Sequence, residues 1–418
     1  MKRVLFIAYH FPPLAGGGTF RSLKFVKYLP EFGWLPTVLT TNTKNYWAYD
    51  ESLLDEIPKE VKIIRASEFD PFYLQIMLSK IGLGKLYQKI KDRFFIPDEK
   101  IGWIPFAYHK GVKELTTRKY DLIFSTSPTP CAHIIALKLN KRFGIPWICD
   151  FRDFWTRHPY YKYKNQKRES KETKLEDSFI YNADRTTCAF NSIIQKWSSN
   201  FIKLIERNIH VIYNGFDDDQ TPKEKSKKDS LYLTITYTGS FYGAYNPYHF
   251  LEALKQLKDG NEEIIDRIRI QFIGNIEENI KIRVNEYKLG IIIKTFIPQS
   301  DLLAEIEYTD LLLLIMPDNS QLPGKVFSYM AIYKPIFAII PDSEIKTILK
   351  KSNLGFFADP SSLNSIKNEL LRIYNLWNNN KLQVNPNFDY IQQFHRRNLT
   401  KQLVSVFNTV VSNNKTKK

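Results

Sequence analysis

Pro323-Gly324-Lys325-Val326-Phe327-Ser328-Tyr329-Met330, closing at Lys334-Pro335, is the stretch on which the reading of this chain turns. An apolar run, Leu311 to Met316, and a polar loop, Pro317 to Leu322, precede it, and a second apolar run, Pro335 to Ile340, follows. The order is strand, loop, helix, strand, the unit from which parallel sheets are built. Pro323 suits a first helical turn, where its missing N–H leaves no bond unmade. Gly324 lets the backbone come close to a ligand. Lys325 adds a positive charge where the first amides of a helix already favour an anion. Two readings are open from these residues alone: a phosphate seat, or an ordinary helix start with a solvated lysine.

The 418 residues exceed what one compact core accommodates and predict two domains. Hydrophobic content of 43% and charged content of 25% are ordinary for a soluble globular chain. A net charge of +16 implies an anionic partner: nucleic acid, an anionic membrane face or a phosphorylated substrate. Cys131, Cys149 and Cys188 are far apart and form no CxxC, which suits buried thiols in a reducing compartment. The seven histidines are scattered, with no HExxH, so neither a protein-bound metal nor another cofactor is expected. No apolar run approaches the ~20 residues of a membrane span. Lys2 and Arg3 precede only Val4 to Tyr9, too short for a signal-peptide core. A cytoplasmic chain is expected, one that can rest on the inner face of a membrane.

Val4 to Tyr9 reads as a buried parallel strand, and Phe11 to Gly18 as a loop. Thr19 reads as a helix cap. Leu23, Val26 and Leu29 mark a helical face that Pro30 and Gly33 end, and Pro36 to Thr41 is the next strand. Arg21 falls where the third glycine of GxGxxG would stand, which argues against a dinucleotide site. Gly16-Gly17-Gly18 reads as a loop admitting a ligand or as a flexible turn. From Phe69 to Ile96, apolar and aromatic residues alternate with Lys80, Lys85, Lys89, Lys91 and Arg93. That is the composition of an interfacial amphipathic helix, or of one packed on its own domain. Asp121–Thr126 and Trp147–Phe151 are strands. Arg152-Asp153-Phe154-Trp155 lies just past the second, at the edge where open α/β sheets bind ligands.

Residues 157 to 174 hold seven Lys/Arg against two Glu, with Tyr160, Tyr161 and Tyr163 among them. They read as a solvated helix or loop, or as an anion-facing patch. No RNA-binding pattern accompanies them, so nucleic acid is not the expected partner. Lysine-rich residues 219–230 are a linker between domains 1–218 and 231–385, with 386–418 as a last helix and a disordered tail from Asn413. The second half repeats the pattern, with strands at Leu231–Tyr237, Arg269–Ile273, Ile291–Phe296, Leu311–Met316, Pro335–Ile340 and Gly355–Ala358. Thr238-Gly239-Ser240 is a second small-residue loop at a strand end, and one amphipathic helix spans about Phe388 to Val411.

Six stretches in this order resemble the retaining GT-B glycosyltransferases of family 4. They are Tyr9–Pro13 with Gly16–Gly18; Pro97–Trp103; Gly144–Trp147 with Asp150–Trp155; Val211–Asp217; Tyr237–Ser240; and Pro323–Lys325 through Pro335. The resemblance implies two Rossmann-like doubly wound domains facing across a cleft, with the nucleotide-sugar held by the second and a glycan or lipid-diphosphate-linked acceptor presented by the first. It implies transfer with retention in surface polysaccharide or glycolipid assembly, without a metal. Lys325, Pro323, Gly324, Gly239 and Ser240 would bind the donor, and Gly16, Gly17 and Gly18 would approach it from the other domain. The final helix would return to the first domain. The resemblance is broken where the family often carries two glutamates: Ser328 and Ser320 occupy those positions, with Asp318 close to the second. A serine at 328 can still hydrogen-bond a ribose hydroxyl, more weakly than a carboxylate. No Arg or Lys lies within Thr238–Pro247, so phosphate would fall to Lys325 and Arg152, while Asp153 would position acceptor or sugar. The loss of both glutamates keeps open a catalytically silent GT-B protein, and the fold also admits a nucleotide-sugar epimerase.

Overall fold

The computed structural model describes residues 1–69, 71–158, 163, 165–197, 209–218, 231–260, 262–295, 302, 305–319 and 321–415. The linker 219–230, Ser320, Phe296, Tyr160 and Tyr161 lie outside the described residues. Contacts divide the chain into two units. The first is Met1–Asn214 with Arg396–Lys418, and the second is Gly215–His395.

The first unit is a sheet of seven parallel strands: β1 (Lys2–Ala8), β2 (Trp34–Thr41), β3 (Lys62–Ala66), β4 (Leu122–Thr126), β5 (Trp147–Phe151), β6 (Arg185–Cys188) and β7 (Ile209–Val211). Their order is β3-β2-β1-β4-β5-β6-β7. Every residue of β4 and β5 is buried, as strands covered on both faces must be. The order reverses between β1 and β4, which opens a crevice beyond their carboxyl ends. The helix Gly17–Tyr28 follows β1, and it starts earlier than a Thr19 cap predicts. Gly16 turns the chain in at φ +104, and Thr19 is buried in the first turn. The last helix, Arg396–Lys415, sets Leu399, Leu403, Phe407 and Val410 into the core of this unit. Phe407 meets Trp34 and Phe124 at 5.2 and 5.4 Å between ring centroids.

Local corrections have physical causes. Phe69–Ile96 forms two helices, Pro71–Lys80 and Gly84–Phe94, because the chain turns at Gly82 (φ +74). Phe388–Val411 is likewise two helices, Phe388–Gln392 and Arg396–Lys415. They part where Phe216 N–H donates to Phe394 O (3.2 Å). The expected disordered tail is helical through Lys415. In the basic stretch, Arg168 pairs with Glu172, and Arg157 with Glu176 and Asp177, all three acids on the helix Gln166–Asn182.

The second unit repeats the design in six parallel strands: β8 (Leu233–Thr238), β9 (Ile268–Ile273), β10 (Ile292–Lys294), β11 (Leu311–Ile315), β12 (Ile336–Ile339) and β13 (Gly355–Ala358). The order β10-β9-β8-β11-β12-β13 reverses between β8 and β11. Leu251 and Leu254 of the helix Tyr248–Gly260 share a core with Ile366, Leu370 and Ile373 of the helix Leu363–Asn378 and with Leu313 and Phe337 of the sheet.

A buried ion pair fastens the first unit together. Arg21, on the helix after the glycine loop, donates from Nε and Nη2 to the two oxygens of Asp150 on β5 (3.0 and 2.8 Å), and the residues are 2% and 0% exposed. Thr126 of β4 and Thr187 of β6 donate to the same carboxylate (2.7 and 2.6 Å). Arg21 also donates from Nη1 to Tyr213 O (3.1 Å). Burial pushes the Asp150 carboxyl up, but the guanidinium and the hydroxyl donors outweigh it and hold it below the usual range. Removing the cation strands a buried carboxylate. Arg21→Ala should cost about 3–5 kcal/mol in denaturant unfolding, and Arg21→Met with Asp150→Leu should restore most of it; a cost under about 1 kcal/mol would contradict this role.

Candidate functional site

In each unit the candidate residues gather at the crevice where strand order reverses. In the second unit, β8 ends in Thr238-Gly239-Ser240. Gly239 (φ +122) and Gly274 (φ +139), after β9, lie back to back: a Cβ on Gly274 would stand 2.3 Å from Gly239 O. Only glycines fit this junction. The six-residue helix Lys325–Met330 is pinned above it by Tyr329. The Tyr329 hydroxyl accepts from Thr238 N–H of β8 (2.8 Å) and donates to Leu313 O of β11 (3.3 Å), so one phenol bridges the two strands. Burial raises its pKa to about 12, and it stays a donor.

Lys325 lies one helical turn before Tyr329. Its Nζ donates to Thr238 O (3.3 Å), stands 3.9 Å from the centroid of Tyr237, and lies against Gly239. Tyr237 is itself stacked on Phe241 (4.0 Å), and its hydroxyl donates to Ser240 O (3.0 Å). Among the described residues no carboxylate pairs with this ammonium. Withdrawal from water lowers its pKa to about 7. The helix amides contribute less than the sequence reading expects. Val326, Phe327 and Ser328 N–H all donate back to Pro323 O or Gly324 O. The positive character of this corner therefore comes from the Lys325 side chain, flanked by Pro323 and Gly324, with Ser328 partly buried on the same helix.

In the first unit the corner is built on the Gly16–Gly18 loop. The Arg152 guanidinium lies on Gly17, where a Cβ would stand 2.9 Å from Nη2, and the His10 ring lies on Gly18 at 3.2 Å. Arg152 pairs with Asp153 (3.4 Å), whose side chain is 56% exposed. The His10 Nδ1 lies 2.9 Å from Pro128 O, across the ends of β1 and β4. Burial lowers the His10 pKa, and the charges of Arg152 and Lys100 add to that, so the ring is neutral at pH 7. Donation from Nδ1 to the carbonyl leaves Nε2 as an acceptor. Behind it the Tyr9 hydroxyl donates to Glu68 (2.7 Å), with Lys100 3.7 Å from the same carboxylate.

The structure thus brings Gly16, Gly17, Gly18, Arg152 and Asp153 into one corner, and Gly239, Ser240, Pro323, Gly324, Lys325 and Ser328 into another. Asp150 is excluded from any open site by its burial against Arg21. Sequence reasoning missed Tyr329, although it stands four residues after Lys325 on one helix face. It missed the neutral His10, whose state follows from burial and whose Nδ1 meets a carbonyl 118 positions away. It also missed a cluster: His395 Nε2 lies 3.6 Å from Asp217 and 3.1 Å from Asp218, a grouping of metal-binding residue types that no local spacing encodes.

The model of Glycosyltransferase Family 4 matches residues 15–220. Among solved structures, sucrose-phosphate synthase from Thermosynechococcus elongatus superposes with a TM-score of 0.70 at 14% identity, over 99% of this chain and 100% of that one. HepE from Anabaena, in complex with UDP-glucose, gives 0.62 at 13% identity over 98% and 100%. Trehalose 6-phosphate synthase from Burkholderia multivorans gives 0.64 at 11% identity over 100% and 98%. No curated protein matches the sequence significantly. The family match contains the glycine loop, Arg152 and Asp153, and the structural likenesses extend the two-sheet architecture over the whole length. Residues 15–220 match Glycosyltransferase Family 4, and the chain as a whole has the two-sheet GT-B fold.

Proposed function

We propose that the chain transfers a sugar from a nucleotide-sugar, first of all a UDP-sugar, to a glycan or lipid-diphosphate-linked acceptor. The reaction proceeds with retention and without a metal, in surface polysaccharide or glycolipid assembly. The observation that carries this reading is the Lys325 ammonium, desolvated at the β8/β11 crevice and, among the described residues, offered no carboxylate. A diphosphate leaving group supplies the missing anion, and the lysine meets the charge that develops as the anomeric C–O bond breaks. HepE, with its UDP-glucose complex, supports the choice of donor. In the first unit, Arg152 offers a cation and Asp153 an acceptor for a sugar hydroxyl, beside a loop whose Gly17 leaves room for the guanidinium. A second reading, a silent GT-B protein that binds a glycan or a partner transferase, draws on Ser328, a hydroxyl where the family often carries a carboxylate.

A membrane surface is part of the proposal. Among the described residues no helix is long and apolar enough to cross a membrane. On the helices Pro71–Lys80 and Gly84–Phe94 and the turn between them, Met77, Ile81, Leu83 and Phe94 are nevertheless exposed, next in sequence to Lys80 and Arg93 or close to them. Apolar side chains with lysine and arginine around them suit the headgroup region of anionic lipid.

Two outcomes check these assignments. Free Lys325 titrates near pH 7, and a bound diphosphate favours its charged form, so UDP binding above that pH must take up a proton. Affinity should fall as pH rises above about 7, by up to about tenfold per unit. Lys325→Ala should weaken UDP at least about tenfold below that pH and abolish the proton uptake. Calorimetry in buffers of different ionisation heat reads both; a pH-independent affinity that the substitution leaves unchanged contradicts the role. The protein should also sediment with vesicles containing phosphatidylserine at low salt and release as salt rises, with Ile81→Ser plus Phe94→Ser weakening the association. Absence of binding at low salt removes the membrane contact.

A further inference from the structure

We propose that Trp47 is the platform on which the pyranose ring of the acceptor stacks. The proposal deepens the transferase reading and rests on it. Residues 43–50 are not a loose flap. Ala15 N–H donates to Ala48 O (3.0 Å), Asp50 N–H donates to Pro13 O (2.9 Å), and Leu14 and Tyr49 form an antiparallel bridge. This clip carries Trp47 onto the glycine loop. A Cβ on Gly16 would stand 2.6 Å from Trp47 Cζ2, and the backbone there, at φ +104, already requires glycine.

The indole is held from behind. The Tyr46 ring lies 5.7 Å from Trp47 and 5.5 Å from His10. Burial raises the Tyr46 pKa, so its hydroxyl stays protonated. Yet Trp47 is 77% exposed. A large apolar ring held in place and left in water, with no partner on that face among the described residues, is a candidate contact surface. A pyranose has an apolar C–H face to lie on such a ring and a rim of hydroxyls. The rim partners are at hand on the same loop: Arg152 against Gly17, Asp153 beside it, and the His10 ring, with Nε2 accepting, against Gly18. On the transferase reading the first unit presents the acceptor, so a sugar at this corner is read as that of the acceptor.

The test uses the full chain labelled with 5-fluorotryptophan. Seven tryptophans give seven 19F resonances, and Trp47→Phe identifies the one at 47. Methyl and octyl glycosides of glucose, galactose and N-acetylglucosamine are the probes, with UDP titrated in parallel. The Trp47 resonance should shift with at least one glycoside. Trp47→Ala should weaken that glycoside about tenfold or more without changing the melting temperature, and Trp47→Phe should stay within about threefold of wild type. A Trp47 resonance indifferent to every glycoside, a Trp47→Ala affinity equal to wild type, or a response only to anionic vesicles overturns the proposal. The UDP titration of the wild type judges the transferase reading separately.

Discussion

The Arg21–Asp150 pair is the constraint on which the first unit depends. It joins the helix behind the glycine loop to β5, and through Thr126 and Thr187 to β4 and β6. Two charges withdrawn from water are costly unless every lone pair and proton is used. Here the bidentate contact and two hydroxyl donors use them. The consequence lies two residues on: with Asp150 fixed, Arg152 emerges at the sheet edge and lies on Gly17, four residues before Arg21. The same arginine takes the place of the third glycine of a dinucleotide loop, where such loops need close helix–strand packing. The ion pair thus accounts both for the failure of that motif and for the shape of the corner that replaces it.

Both sheets run outward, return and continue, and each holds polar groups at the point of return. In the first unit the His10 ring spans from the end of β1 to the carbonyl of Pro128 after β4. In the second, Tyr329 spans β8 and β11, and Lys325 sits on the carbonyl of Thr238. Neither histidine nor lysine is placed to be comfortable when charged: burial lowers the pKa of both. A neutral imidazole can accept a proton or a hydrogen bond, and a lysine titrating near 7 gains its charge most readily when an anion arrives. Both properties suit the roles proposed for these residues.

The strands were legible because buried parallel strands are continuous apolar runs, as in Leu311–Ile315 and Val4–Ala8. The glycine loop and Pro323–Lys325 were legible as small residues and a cation at strand ends. Two kinds of feature were not. Helix continuity across Gly82 and across Phe394–His395 depends on a local turn and on a hydrogen bond to Phe216, and the apolar pattern alone runs through both. Long-range partnerships leave no mark in spacing either. Nothing in the spacing pairs Asp150 with Arg21, 129 positions away. The small size of the helix Lys325–Met330 matters too, since its amides close their own turn and leave the Lys325 side chain as the source of positive charge.

The central claim is that the Lys325 ammonium receives the diphosphate of a nucleotide-sugar. A crystal structure of the protein with UDP tests it most directly. The account predicts a diphosphate oxygen about 3 Å from Lys325 Nζ, above the Gly239–Gly274 junction. UDP bound elsewhere, or a Lys325 still seated only on Thr238 O and the Tyr237 ring with the nucleotide in place, would contradict it.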